Sequence, residues 1–211
     1  LNVLNFLDID KNMLFMESQV LKYSNHDIII NRSGYTGEDG FEISIPNEIS
    51  LDFIMILMKN HNSELCGLGS RDSLRLEAGL SLYGNELNEN ITPIEANLAW
   101  AIHKDRLNDD LLNGQKKILT QKLEGSDKVR IGLQPFSKSI LRSNMKLINE
   151  KKIEIGLITS GGYSPTLNSS IAIAYVASLE KDSKIYTSIR GKIEELKIVR
   201  LPFVPHNYRR K

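Results

Sequence analysis

Gly34-Tyr35-Thr36-Gly37-Glu38-Asp39-Gly40-Phe41-Glu42 is the stretch on which the reading of this chain turns. Val20 and the run Ile28-Ile29-Ile30 stand upstream. Downstream, Phe41-Glu42-Ile43-Ser44-Ile45 alternates apolar with polar, the period of a half-buried strand. The stretch therefore reads as the tip of a β-hairpin. Gly34, Gly37 and Gly40 each tolerate positive φ, which folds the tip tightly and brings Tyr35, Glu38 and Asp39 within reach of one small ligand. An Asp-Gly pair between strands is also an ordinary turn with its carboxylates in water, so the local pattern leaves both readings standing.

Working outward, a helix is expected over residues 49–60, and a second starts near Ser70 and stops at Gly79, a typical C-terminal cap. Thr92-Pro93-Ile94-Glu95 has the form of a helix start, with Thr92 as cap, Pro93 in the first turn and Glu95 reaching back to the free amide. Residues 1–103 thus form an α+β region. Residues 104–128 are charged and poor in β character. Leu107, Leu111, Leu112, Ile118 and Leu119 lie on one helical face, so this segment is expected to be a linker helix. From 129 to 211 the pattern turns to short strands at 130–133, 146–148, 153–159, 171–176, 185–189 and 195–200, separated by Gly, Asn and Pro turns. That spacing suggests a small β-barrel or jelly-roll domain. Ser160-Gly161-Gly162-Tyr163-Ser164-Pro165 reads as a turn, and because no helix follows, it is not a phosphate cradle.

Composition narrows the class. The 211 residues carry 27 basic and 26 acidic side chains, a net charge of +1, which speaks against a dedicated nucleic-acid binder. Cys66 is the only cysteine, so neither an internal disulfide nor a thiolate metal cluster can form, and a reducing compartment fits. The longest apolar run, Phe53-Ile54-Met55-Ile56-Leu57-Met58, is far too short to cross a bilayer. His26, His61, His103 and His206 lack metal-ligand spacing, so no metal is implied. Ser70 and Ser73 have no recognisable base, so no serine nucleophile is implied.

Further blocks follow the hairpin. They are Gly69-Ser70-Arg71-Asp72-Ser73-Leu74-Arg75-Leu76-Glu77-Ala78-Gly79, then Leu82-Tyr83-Gly84-Asn85-Glu86-Leu87, then Thr92-Pro93-Ile94-Glu95-Ala96-Asn97-Leu98-Ala99-Trp100. The pattern continues through residues 156–165 and ends at Pro202-Phe203-Val204-Pro205-His206-Asn207-Tyr208. In that order and spacing, the chain resembles the aminomethyltransferase, or T-protein, of the glycine cleavage system. The block at Leu1 resembles the middle of that family, and there is no initiator Met, so the expectation is a C-terminal part of a T-protein, incomplete at its N-terminus. The aspartate that the family places beside the reacting folate nitrogens would lie outside this chain, and the catalytic residues here are unknown.

What the resemblance implies is a tetrahydrofolate-dependent transferase. It would take a one-carbon unit from aminomethyl-lipoyl H-protein, release ammonia and pass the unit to tetrahydrofolate. The expected partners are lipoylated H-protein, tetrahydrofolate and the missing N-terminal half, either as part of the same protein or as a separate chain, with neither nucleic acid nor membrane. The expected compartment is cytoplasmic, with the mitochondrial matrix as alternative. The other readings are a folate-binding fragment or module without transferase activity, or the folate domain of a sarcosine or dimethylglycine dehydrogenase-like enzyme. Against the iron-sulfur assembly folate proteins, the hairpin has Tyr35 where they carry a cysteine motif. Against a flavin partner domain, no dinucleotide fingerprint occurs.

The residues expected to bind folate are Glu38, Tyr35, Arg71, Trp100, Arg142 and Tyr208. The resemblance places the family's folate-binding glutamate at Glu38, and a carboxylate suits a pterin because it accepts from a ring N–H and an exocyclic amine as a fork. Tyr35 either offers a stacking face or fills the hairpin. Arg71 sits at a helix start, where the dipole opposes a cation, so it needs a partner: Asp72 locally, or a folate oxygen. Arg75, one turn on, is expected to make a structural ion pair. The resemblance puts Trp100 at the folate pocket, whereas an isolated Trp on an apolar strand belongs in a core. By the same resemblance Arg142 faces folate from the C-terminal domain, its other reading being a solvated loop arginine. The tail residue Tyr208 contacts the ligand, and the Pro-anchored aromatic tail suggests docking. Tyr83 and Asn85 shape the turn that follows the Arg71 helix.

Overall fold

A computed structural model describes residues 4–59, 63–177 and 183–210. The chain divides into two compact units, Leu1–Leu74 with Pro205–Lys211, and Arg75–Val204.

In the first unit, β1 (Ser18–Tyr23), β2 (His26–Asn31) and β3 (Glu42–Ser44) form an antiparallel sheet in the order β1-β2-β3. Ile29 pairs with Ser44 and Ile30 with Ile43, so the hairpin expected around the glycine-rich tip is present. Alternation along β2 explains its burial. Ile28 and Ile30 point into the core and are inaccessible, while Ile29 faces out at 44% exposure. Helix α1 (Asn47–Met58) adds Ile49 and Phe53 to a core with Leu7, Ile9 and Met13. Phe6, Tyr23 and Phe53 meet edge to face, with ring centroids 5.2 to 5.9 Å apart. This helix starts at Asn47, before the expected Ile49, and Asn60 falls outside the described residues, as does His61.

Helix α2 (Leu68–Glu77) closes at Gly79, as expected. Gly79 has φ +65, and its N–H donates to the Leu76 carbonyl. A Cβ there would lie 3.2 Å from the Pro202 Cα, so both conformation and space call for glycine.

The rest of the second unit is a closed barrel. Strands β4 (Lys128–Pro135), β5 (Lys146–Ile148), β6 (Glu154–Ser164), β7 (Ser169–Ala177), β8 (Ile185–Ile189) and β9 (Lys192–Val199) run in the order β4-β7-β6-β5-β8-β9, antiparallel at every pairing. Leu133, Leu141, Leu147, Ile158, Ala174, Val176 and Ile185 fill it with no exposed surface. The α+β class and the C-terminal barrel read from the sequence are both present.

Four local expectations give way. Ser160 to Ser164 is not a turn but the end of β6, paired with β7. Gly161 serves close approach, since a Cβ on it would meet the Arg142 nitrogen at 2.9 Å. Thr92 to Glu95 makes the capping-box bonds, Thr92 N to Glu95 Oε2 at 2.9 Å and Glu95 N to Thr92 Oγ1 at 3.2 Å, yet it closes a turn and starts no helix. Asn97, at φ 58, diverts the chain. The charged stretch after His103 is not one helix. A 3₁₀ turn at Lys104–Asn108 is separated from α3 (Gln115–Glu124) by Gly114 at φ 75, which leaves Leu111 at 83% exposure while Leu107 and Ile118 are buried. Of the tip glycines, Gly37 alone has positive φ, at 80, and Gly34 and Gly40 do not.

Candidate functional site

The hairpin tip is built on a buried cation. Arg32, at the end of β2 and 3% exposed, holds Asp39 in a fork, Nε to Oδ1 at 2.9 Å and Nη2 to Oδ2 at 2.5 Å, and donates Nη1 to the Met13 carbonyl at 2.7 Å. Hydrogen bonding from Arg32 holds the Asp39 carboxyl below the usual aspartate range. Asp39 is therefore committed to the fold through this fork.

Glu38, next in line, is exposed. Each of its carboxylate oxygens lies 3.0 Å from the Asn207 amide nitrogen Nδ2. The Asn207 backbone N–H donates to the Gly37 carbonyl at 2.8 Å, and Glu38 and Asn207 form an isolated parallel bridge. The tail thus docks on the tip as one more extended segment, which keeps it from fraying. One amide bridges both oxygens, leaving acceptor positions on a carboxylate that water reaches.

The tail's aromatic residue is anchored too. Tyr208 stacks on Phe15 with centroids 4.0 Å apart and planes 6° apart, and the Phe15 N–H donates to the Arg209 carbonyl at 2.9 Å. Arg210 lies 5.6 Å from the centroids of both rings. Burial raises the Tyr208 phenol above its usual range, Arg210 opposes this and the Glu38 charge adds to it, so the phenol senses the tip carboxylate.

Tyr35 and Arg71 meet as well. The guanidinium sits 4.9 Å from the ring centroid, so one face of Tyr35 carries a cation. Beside the two readings of Arg71, a partner in Asp72 or in a ligand oxygen, the guanidinium thus also has an aromatic face as its contact. Glu38, Tyr35, Arg71 and Tyr208 all belong to the first unit.

Trp100 and Arg142 belong to the second unit. Trp100 sits in a 3₁₀ turn (Ala99–Ala101) and is 80% exposed, which removes the strand and core readings. Arg142 is exposed beside a groove of about 790 Å³ that it lines with Lys138, Met145, Arg190, Lys192 and Glu194. Glu194 is held below the usual range by hydroxyls of Ser137 and Ser139 at 2.6 and 2.7 Å and so stays a carboxylate, one anion among the cations Lys138, Arg142, Arg190 and Lys192.

Arg75 is a structural group, as expected. It is buried and bonds Glu86 Oε2 at 3.0 Å and Ser160 Oγ at 2.8 Å. Glu86 in turn accepts from the Leu82 N–H and the Thr159 hydroxyl. Asn85 donates to Ser160, and Tyr83 forms an isolated bridge with Leu87, so both shape this turn. Sequence reasoning missed Phe15 and Arg32, whose partners lie across loops and the far tail and leave no periodic signal. Asn207 was legible only as part of a tail motif. Among the described residues, no cluster of His, Cys, Asp and Glu is arranged to hold a metal, and no helix is long and apolar enough to cross a membrane.

Fold and site together define a two-unit α+β protein whose second unit closes as an antiparallel barrel and whose hairpin tip displays an open carboxylate buttressed by the C-terminal tail. Two family models match it: the GCVT N-terminal domain over residues 2–106 and the glycine cleavage T-protein C-terminal barrel domain over residues 128–205. The chain belongs to the glycine cleavage T-protein family. It is 43% identical over 206 residues to the mitochondrial aminomethyltransferase of Flaveria trinervia, covering 95% of this chain and 50% of that protein. It is 44% identical over 191 residues to the one from Saccharomyces cerevisiae, covering 85% of this chain and 47% of that one. Among solved structures, the glycine cleavage system aminomethyltransferase T from Bartonella henselae superposes with a TM-score of 0.88 at 35% identity, over 96% of this chain and 56% of that chain. The chain spans about half the length of the curated relatives it matches. These relatives are named mitochondrial, which supports the matrix alternative; the cytoplasmic expectation is without support.

Proposed function

We propose that this chain supplies the tetrahydrofolate-holding part of an aminomethyltransferase of the glycine cleavage system, working with a lipoylated H-protein in the mitochondrial matrix. The observation that carries the reading is the Glu38 carboxylate, held by Asn207 at 3.0 Å through both oxygens and still open to solvent. A pterin presents two adjacent N–H donors, and a carboxylate fixed in orientation yet short of donors fits them. Arg71 over Tyr35 offers a cation on an aromatic platform, and Tyr208, clamped by Phe15, is near enough to Glu38 to feel its charge. Trp100 and Arg142 are assigned to the same ligand on the family resemblance, as an exposed ring and an exposed guanidinium. Tetrahydrofolate would supply the nucleophilic nitrogens that accept the one-carbon unit. The protein's share is to orient it and to surround developing charge with fixed dipoles. None of these residues is assigned a proton transfer.

Calorimetric titration of the purified chain with tetrahydrofolate tests this. Glu38→Ala should weaken binding by about 2 kcal/mol or more, roughly thirtyfold, because two donors lose a charged acceptor. An unchanged affinity in a folded variant would sink the assignment. Adding aminomethyl-loaded H-protein and following ammonia separates transfer from a folate-binding role alone.

A further inference from the structure

Arg130, on β4, is 8% exposed. A buried guanidinium is costly unless an anion pairs with it. The hydrogen bonds of this one both leave from Nη1, to the Gly79 carbonyl at 3.3 Å and to the Ser81 hydroxyl, and both acceptors are neutral. Nε is buried and has no hydrogen-bond partner among the described residues. Burial pushes the group below the usual arginine range, and the nearby Tyr175 and Glu86 offset this only in part.

Arg32 shows what the same side chain does when its anion is supplied. Its Nη1 is spent on a backbone carbonyl, and its Nε and Nη2 form the side-on fork that takes both oxygens of Asp39. Arg130 repeats the first half of that arrangement, Nη1 on a carbonyl, and lacks the carboxylate on the second. It also lines a cavity of about 430 Å³ with Asn97, Gly132, Leu201 and a second cation, the exposed Arg200, where β4 and β9 pair.

The geometry points to an oxyanion site in this cavity, anchored by the side-on edge of Arg130 and assisted by Arg200, for a small ligand bearing a carboxylate or phosphate. A carboxylate matches the fork with two parallel bonds, and a phosphate does so with two of its oxygens. This site does not depend on the folate reading, which involves none of these residues.

The test is to titrate the full chain with acetate and with inorganic phosphate at constant ionic strength, following the Arg130 Nε–H resonance by nitrogen-15 NMR. A saturable shift with at least one anion is expected, and the anion that produces it names the ligand class. Arg130→Lys keeps the charge but loses the fork and, followed through the backbone amide of Gly132, which lines the same cavity, should weaken binding about tenfold or more, and Arg200→Gln about threefold. A resonance that does not move with either anion overturns the site, as does equal affinity in Arg130→Lys. Should Arg130→Lys not fold, the wild-type resonance and Arg200→Gln decide.

Discussion

Buried charges set the energetics at the residue scale. Arg75 and Glu86 are 1% and 0% exposed at their side chains, and each is bonded on several sides, so the pair is satisfied as a unit. Removing one member strands the other in a low-dielectric interior. Glu86→Gln should therefore cost about 3 to 5 kcal/mol in equilibrium denaturation. A loss below about 1 kcal/mol would show that water reaches Arg75 and relieves it. The sequence predicts the Arg75 ion pair from helical spacing, but not its partner, because Glu86 lies beyond the helix and Ser160 on a strand of the barrel. Asp39 is the opposite case. In sequence it resembles Glu38, and only the fork from Arg32 separates a structural carboxylate from one that stays available.

The barrel strands show, at the element scale, why glycine positions matter. Gly156 on β6 faces β7 so closely that a Cβ would fall on the Tyr175 carbonyl oxygen and lie 2.8 Å from the Val176 Cα, both backbone atoms that cannot swing away. Gly156→Ala should force β6 from β7 and destabilise the protein by about 1 to 3 kcal/mol, seen as a lowered melting temperature. An unaltered melting temperature would mean that the strand pair relaxes. Most strands were legible as short apolar runs bounded by turn residues, such as Ile171 to Val176, which is buried along its whole length. The end of β6 was not, because Gly161 and Gly162 look like a turn until the Leu141–Arg142 backbone is brought against Gly161. The capping residues of the Thr92 turn formed their bonds without a helix, since local chemistry starts an element and the chain beyond it decides whether it continues.

Opposed titrations bound the stability of the whole molecule. Asp39 has a folded pKa below its ordinary 3.8, so the Arg32–Asp39 contribution is complete above that value and drains away as pH falls through the lower folded one. Tyr175, pushed by burial from 10.0 up to about 12, donates to the Glu86 carbonyl oxygen at 2.9 Å. Its contribution is complete below pH 10 and is lost as pH rises through about 12. Denaturation measured across pH should show loss at both ends. Asp39→Asn should flatten the acid limb and Tyr175→Phe the alkaline one. An acid limb unchanged in Asp39→Asn would place its source in other carboxylates.

The sequence by itself determined the α+β class, the hairpin, the barrel and the family, because burial periodicity and ordered motif blocks are local properties of the chain. Tertiary structure alone decided which charges are spent and which remain. Glu38 and Asp39 are neighbours in sequence, and their fates differ because Arg32 turns to one and Asn207 to the other. Arg130 looked like any strand residue until burial left one edge of its guanidinium without an anion. Electrostatic roles depend on distance and desolvation, and neither exists until the chain has folded.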